Sequence, residues 1–215
     1  PFLLTAYERA HQRGEPANLY IEGDGLNWLS RTQISLDPTP TNPVALHLAA
    51  KDKSRNVFYL ARPCQYSKLT EHGKPCDTKY WTSHRYAPEV IDSFTTALDD
   101  IKAQYDITAF NLIGFSGGGA VAAILAAQRD DVASLRTVAG NLDHEAHSNH
   151  HNVSYLSGSL NPPDFAPMLG DIPQRHFVGG EDEVVPPLIA HSYTQALDGS
   201  ACSDVTMIQE AEHID

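Results

Sequence analysis

Phe110 to Ala120 reads FNLIGFSGGGA, a run in which a serine stands between small residues where an apolar segment gives way to an alanine-rich one. The spacing of Gly114, Ser116 and Gly118 suits a sharp strand-to-helix turn. Glycines remove the side chains that would clash there, and the hydroxyl is held above the sheet as a nucleophile. Phe110, Leu112 and Ile113 predict the buried strand before the turn, and Ala120 to Gln128 the helix after it. The positive end of that helix would lie under Ser116, which makes the Gly117 backbone N–H a candidate oxyanion donor. A serine hydroxyl is a weak nucleophile by itself and needs a base to take its proton and an acid to orient the base.

Both partners have candidates downstream. Phe177 to Pro187, FVGGEDEVVPP, runs from a short strand through a glycine pair into three acidic residues. Asp182 is the candidate acid and Glu181 and Glu183 its rivals, since one carboxylate at most can orient an imidazole while partly buried. His213 is the candidate base, after the strand-like Val205 to Gln209. The interval between Asp182 and His213 holds one helix, near Leu188 to Ala196, and one strand.

The order Ser116, Asp182, His213, with Gly179, Asp182, Val185 and Pro186 set as GxxDxxVP, resembles the alpha/beta-hydrolase fold family. The resemblance implies an α/β fold with a mostly parallel central sheet and helices on both faces. It implies a Ser-Asp-His triad, attack of Ser116 on a carbonyl, and release of the acyl group by water. It also implies a second oxyanion donor from the loop after an early strand, commonly in a His-Gly-X sequence. The counterpart here is Glu22, Gly23, Asp24, which makes the Asp24 N–H the expected second donor, with Gly25 close behind. Glu22 departs from the usual histidine, although a main-chain donor survives that change. A carboxylate beside an oxyanion opposes catalysis, so the Asp24 side chain is expected to turn away or to be hydrogen-bonded. The same residues also read as an ordinary Asp-Gly turn.

The elements that must position these groups follow from periodicity. Strand-like runs at Phe2 to Thr5, Leu19 to Glu22, Val57 to Ala61, Ala109 to Ile113, Leu135 to Ala139, His176 to Val178 and Val205 to Ile208 alternate with helical stretches. Pro88 to Tyr105 predicts the clearest helix, with Val90, Ile91, Phe94, Ala97, Leu98 and Ile101 on one stripe. At 215 residues and 41% hydrophobic content a single domain is expected, with loop insertions near 62–87 and 140–173. With 21 residues before Glu22 and no closing helix after His213, both ends are expected to be short or trimmed for this fold.

Cys64 and Cys76 bracket the polar loop QYSKLTEHGKP, which has little apolar content to hold it, and a disulfide would do so. That bridge implies a periplasmic, secreted or surface-anchored protein; the alternative is two free thiols in a cytoplasmic one. Cys202 is left over. Tyr66 and Trp81, on the loop leading to the long helix, are candidate pocket residues. Asp143 and His144 are further candidates, at the start of the second irregular segment. His144, His147, His150 and His151 invite a metal reading, against which a solvated loop is favoured, so no metal or cofactor is expected. Asn161 reads either as a cap or as a substrate contact.

A net charge of -12 with no lysine or arginine cluster disfavours nucleic acid and anionic membranes, and no apolar run suits membrane insertion. A small-molecule acyl substrate is the expected partner. The expected function is a serine hydrolase cleaving an ester, thioester or amide, most readily a carboxylic ester. A peptidase or an acyltransferase is the rival within enzymes, and a binding protein on a hydrolase fold, motivated by Glu22 and the short C-terminus, the rival outside them.

Overall fold

The apolar stripe beginning at Pro88 closes into helix α2, Pro88–Tyr105, which buries Val90, Ile91, Phe94, Leu98 and Ile101. Pro88 sits in its first turn, where a missing N–H costs nothing, and Asp106 ends it in a left-handed conformation, φ 59°. α2 packs on a sheet whose strands are β1 (Ala6–Ala10), β2 (Ala17–Ile21), β3 (Asn56–Leu60), β4 (Phe110–Phe115), β5 (Val132–Val138), β6 (Gln174–Gly179) and β7 (Ser203–Ile208). A computed structural model describes residues 2–67, 73, 76–197 and 202–214.

Within those residues the sheet has seven strands in the order β1-β3-β2-β4-β5-β6-β7. β1 runs antiparallel to β3 and every other neighbouring pair is parallel. Parallel strands bury both faces, and β3 shows this residue by residue. Phe58 and Leu60 join the larger core with α2, while Val57 and Tyr59 join a smaller one on the opposite face. That smaller core is covered by α1, Val44–Lys51, through Ala45 and Ala49. On the larger face α3, Gly117–Gln128, is buried from Gly117 through Ala126. Its small side chains allow the close approach: a Cβ on Gly118 would stand 2.3 Å from the Ile21 carbonyl oxygen. α5, Leu188–Ala196, completes the connection between β6 and β7.

Three elements differ from their expected form. The first strand lies at Ala6–Ala10 and not at Phe2 to Thr5, because pairing with β3, Ala6 opposite Leu60 through Ala10 opposite Asn56, selects it over local hydrophobicity. The more apolar Phe2 packs edge-on against Tyr80 instead. The segment 140–173 is not wholly irregular: it forms α4, His144–His151, and a 3-10 helix at Pro162–Met168. α1 had no apolar period long enough to announce it. The expected bridge between Cys64 and Cys76 is present. Most of the loop it closes, residues 68–72, 74 and 75, lies outside the described residues.

Candidate active site

β4 ends at Phe115 and α3 begins at Gly117, so Ser116 makes the whole turn, at φ 50° and ψ -121°. A non-glycine residue at positive φ is strained and persists only where its surroundings hold it. Here the Ser116 N–H donates to the Val138 carbonyl at 3.0 Å, and its carbonyl accepts from Gly119 and Asn141 N–H at 2.9 Å each. Gly114 and Gly118 are steric necessities, since a Cβ on Gly114 would meet the Gly118 oxygen at 2.3 Å.

Ser116 Oγ lies 3.1 Å from His213 Nε2, and His213 Nδ1 lies 2.8 Å from Asp182 Oδ2. A carboxylate is an acceptor only, so this contact places the ring proton on Nδ1 and leaves Nε2 free to accept from the serine. Asp182 is fully buried, whereas Glu181 and Glu183 on either side are exposed. Its second oxygen accepts the N–H groups of Val184 and Val185 at 2.8 and 2.7 Å, which holds the carboxylate in one orientation. His213 keeps 14% of its side chain accessible and packs its ring 5.3 Å from that of Phe115. The glycine pair at the end of β6 makes its position possible, because a Cβ on Gly180 would stand 2.4 Å from the Gln209 oxygen.

Asp24 lies against the serine turn. A Cβ on Gly23 would come within 3.2 Å of the Ser116 Cβ, and one on Gly117 within 2.1 Å of Asp24 Oδ1. The two backbone N–H groups named as oxyanion donors, those of Gly117 and Asp24, therefore belong to adjoining stretches of chain. The Asp24 carboxylate is bound rather than free: Arg62 Nη1 and Arg85 Nη1 each donate to it at 2.8 Å, and the Tyr86 hydroxyl stands at 3.4 Å. Burial opposes its ionisation, but the guanidiniums of Arg85 and Arg62 outweigh burial and hold the carboxyl below the usual carboxylate range.

Glu22 is buried and does work of its own. Its carboxylate accepts from the N–H of Gly23 at 3.0 Å and from the Tyr59 hydroxyl at 3.2 Å. It also accepts from the N–H groups of Ala45 and Leu46 at 3.3 and 3.4 Å, at the start of α1. Pro43, which precedes that helix, offers no side-chain cap, so Glu22 caps it from a distance in sequence. Burial pushes the Glu22 carboxyl up from its ordinary value.

Ser116 and His213 open onto a cleft of about 1180 Å³. Its apolar lining comes from the segment carrying Leu26, Trp28 and Ile34, from Val153 and Tyr155, and from Val184 on the Asp182 loop. The first of these segments had no sequence signal beyond its apolar residues, and the expected pocket set needs correction. Trp81 is buried and its indole N–H donates to the Ser35 carbonyl at 3.0 Å, anchoring the loop rather than lining the cleft. Tyr66 does not line the cleft either; its N–H donates to Thr39 Oγ1 at 2.8 Å. Asp143 caps α4, accepting from Glu145 and Ala146 N–H, and also binds Asn161 Nδ2 and Ser192 Oγ. Asn161 does not cap the 3-10 helix that follows it; its Oδ1 accepts the His144 N–H at 3.1 Å, at the start of α4. His144 does line the cleft, and burial lowers its imidazole's affinity for a proton.

The histidine run is helical, not a solvated loop. His147 and His151, one turn apart on α4, each place Nε2 at 3.0 Å from the Val184 carbonyl, tying α4 to the Asp182 loop. Among the described residues no three His, Cys, Asp or Glu side chains are grouped to hold a metal ion.

Comparison with known proteins bears on the fold and the family. Est1E from Butyrivibrio proteoclasticus, solved with ferulic acid, superposes with a TM-score of 0.67 at 15% identity, over 98% of this chain and 87% of that one. An alpha-beta serine hydrolase homologue from Coxiella burnetii gives 0.63 at 15% identity, over 98% and 83%. The Pyrococcus furiosus esterase Pf2001 gives 0.62 at 12% identity, over 99% and 85%. These likenesses establish the alpha/beta-hydrolase fold. No curated protein matches in sequence at a significant level. The profile of the family described as "Serine hydrolase (FSH1)" matches residues 44–211, a span that contains Ser116 and Asp182 and stops just short of His213. The chain belongs to the FSH1 serine hydrolase family.

Proposed function

We propose that the protein hydrolyses carboxylic esters through an acyl-enzyme on Ser116. The observation that carries this reading is the continuous chain from Ser116 Oγ to His213 Nε2 at 3.1 Å and from His213 Nδ1 to Asp182 Oδ2 at 2.8 Å, at the edge of an open cleft. In this reading His213 takes the Ser116 proton as the serine oxygen bonds to the ester carbon, and the carbonyl electron pair moves onto its oxygen. The N–H groups of Gly117 and Asp24 receive that oxyanion. Collapse of the intermediate breaks the bond to the alcohol, which leaves with the proton held by His213. A water then repeats the attack through the same base, releasing the acid and restoring Ser116. The Asp182 carboxylate stabilises the imidazolium.

The cleft's apolar walls favour a bulky acyl or aryl ester over a short polar one. Ferulic acid is the ligand of the Butyrivibrio esterase. With Trp28 and Tyr155 both lining the cleft here, aryl esters are the first compounds to try. The Cys64–Cys76 bridge fits an oxidising compartment, periplasmic or extracellular. No described helix is long and apolar enough to cross a membrane.

Labelling by a fluorophosphonate that is lost in Ser116→Ala, together with turnover of p-nitrophenyl esters above that of aminoacyl anilides, is the expected result. Faster cleavage of the anilides would redirect the assignment to a peptidase. Native protein that neither takes the label nor turns over any ester would leave the fold as a binding module.

A further inference from the structure

The turn that follows β3 reaches back to the loop carrying Asp24, and its contacts bear on how that loop works. Gln65 is completely buried. Its Nε2 donates to the Gly23 carbonyl at 2.9 Å, and its Oε1 accepts the Arg62 N–H at 3.0 Å. Both polar atoms of the amide are thereby used, and the group cannot rotate without breaking one of them. The turn around it is held in an uncommon shape, with Cys64 at φ 72° and Tyr66 at φ 60°, and Cys64 is tied to Cys76.

The Gly23 carbonyl and the Asp24 N–H belong to one peptide unit. The described residues contain no cis peptide bond, so these two groups point in opposite directions from a single plane. Gly23, Asp24 and Ser116 line the cleft and Gln65 does not, which puts Gln65 on the buried side of that plane. With the carbonyl tied to Gln65, the Asp24 N–H points the opposite way, away from Gln65. The Asp24 side chain is pinned on the same structure, because Arg62 holds its Oδ1 while Arg62 Nη2 also binds the Arg85 carbonyl, and Arg85 holds Oδ2.

We infer that Gln65, locked by Arg62, is a positioning residue that sets the Gly23–Asp24 peptide so that the Asp24 N–H faces the reacting carbonyl. This rests on the hydrolase reading and deepens it, by assigning the control of the second oxyanion donor to a side chain that never touches substrate. Loss of the Gln65 donor frees the peptide to rotate. A rotated peptide would present the Gly23 carbonyl oxygen, a dipole of the wrong sign, to the developing negative charge.

The test compares wild type with Gln65→Met, which keeps length and loses the donor, and Gln65→Glu. The second variant would set a carboxylate against the Gly23 carbonyl and attract the Asp24 N–H instead, favouring rotation. Each is assayed with p-nitrophenyl acetate and with its thionoester, whose sulfur is a poor acceptor and so gains little from an oxyanion hole. The expected result is a fall in kcat of about 10²-fold for Gln65→Met and a larger one for Gln65→Glu, the size seen when one oxyanion donor is removed. KM should stay within about threefold, because the interaction is made in the transition state and not in the ground state. The ratio of oxo to thiono kcat/KM should fall with kcat. That ratio is a property of the folded molecules alone, so partial unfolding of a variant does not mimic it. Active wild type with variants that keep both kcat and the ratio would overturn this inference and leave the hydrolase reading standing. Wild type inactive on every ester would remove the reading and the inference together.

Discussion

A Cβ placed on Gly179 would stand 2.4 Å from the carbonyl oxygen of Ala211, so the end of β6 and the chain leading to His213 touch backbone to backbone. The contact is reinforced by the Glu181 N–H, which donates to the same Ala211 carbonyl at 3.1 Å. The loop that carries Asp182 and the loop that carries His213 are therefore one packed unit. Gly179→Ala should push the 209–212 stretch outward and lengthen the His213 contacts with both Ser116 and Asp182. We expect kcat/KM to fall by about 10² or more, since a displacement near 1 Å is enough for that loss. Thermal melting should show a smaller change, because this loop lies at the sheet edge. Assaying the variant beside wild type checks it; unchanged turnover would mean that His213 is not positioned through this contact.

Asp182→Asn separates orientation from charge. Asparagine retains an oxygen to accept the Val184 and Val185 N–H groups, which the native Oδ1 takes at 2.8 and 2.7 Å, so the loop should keep its shape. Its amide, however, would donate towards His213 Nδ1 and favour the wrong ring tautomer. The expected loss is about 10⁴ in kcat with little change in KM, the pattern for a triad acid replaced by its amide. His213→Ala should lose a comparable amount, and both variants should fold. Steady-state kinetics on one aryl ester resolves the two, and retained activity in either would remove that residue from the mechanism.

How much of this was legible beforehand differs sharply between residues. Ser116, Asp182 and His213 sit in short stretches whose composition is local and peculiar: a serine among glycines, acids after a glycine pair, a histidine after a strand. Each could be found without knowing the fold, and their order supplied the rest. The partners of Asp24 could not be found that way. Arg62 and Arg85 lie 38 and 61 positions from it, in a loop whose arginines carry no pattern. Glu22 was visible only as a departure from histidine. Its capping of α1 stayed hidden because α1 is short and preceded by prolines, not by a capping side chain. α4 was obscured because it is almost wholly polar and lacks an apolar stripe. It is stabilised from outside its own sequence, by Asp143 at one end and by the two imidazoles that meet the Val184 carbonyl.

The disulfide should matter for stability in its own right. Cys64 is buried and joins Cys76 across a sequence separation of 12. Closing a loop of that size restricts the unfolded chain by about 3 kcal/mol in the chain-entropy account. Cys76→Ser, or wild type held under a strong reductant, should therefore melt several degrees lower than oxidised wild type. Reductant should cause no further drop in Cys76→Ser. Equal melting temperatures for reduced and oxidised wild type would show that contacts such as those of Gln65 and Trp81 hold the loop without the bridge.

Acid stability offers a prediction centred on His176, which is wholly buried in β6. Its Nδ1 lies 2.9 Å from Thr137 Oγ1 and its ring packs edge-on against Tyr193. Burial lowers its proton affinity from the usual 6.5 to about 4, with the Asp204 carboxylate opposing only weakly. The folded protein thus binds a proton at this site less readily than the unfolded chain. The contribution to stability is complete above the unfolded value and is lost as pH falls from 6.5 towards 4. The displacement corresponds to at most about 3 kcal/mol, at 1.36 kcal/mol for each unit of pKa. Urea melts at pH 7 and pH 4.5 should show wild type losing stability across that interval. His176→Leu should start lower, because Thr137 loses its partner and the pocket is reshaped. Its further loss between the two pH values should be smaller than that of wild type by an amount approaching the same figure. A variant whose acid-induced loss equals that of wild type would shift the origin of the acid sensitivity to other groups, first among them His147, which burial and the neighbouring His151 also lower to about 4.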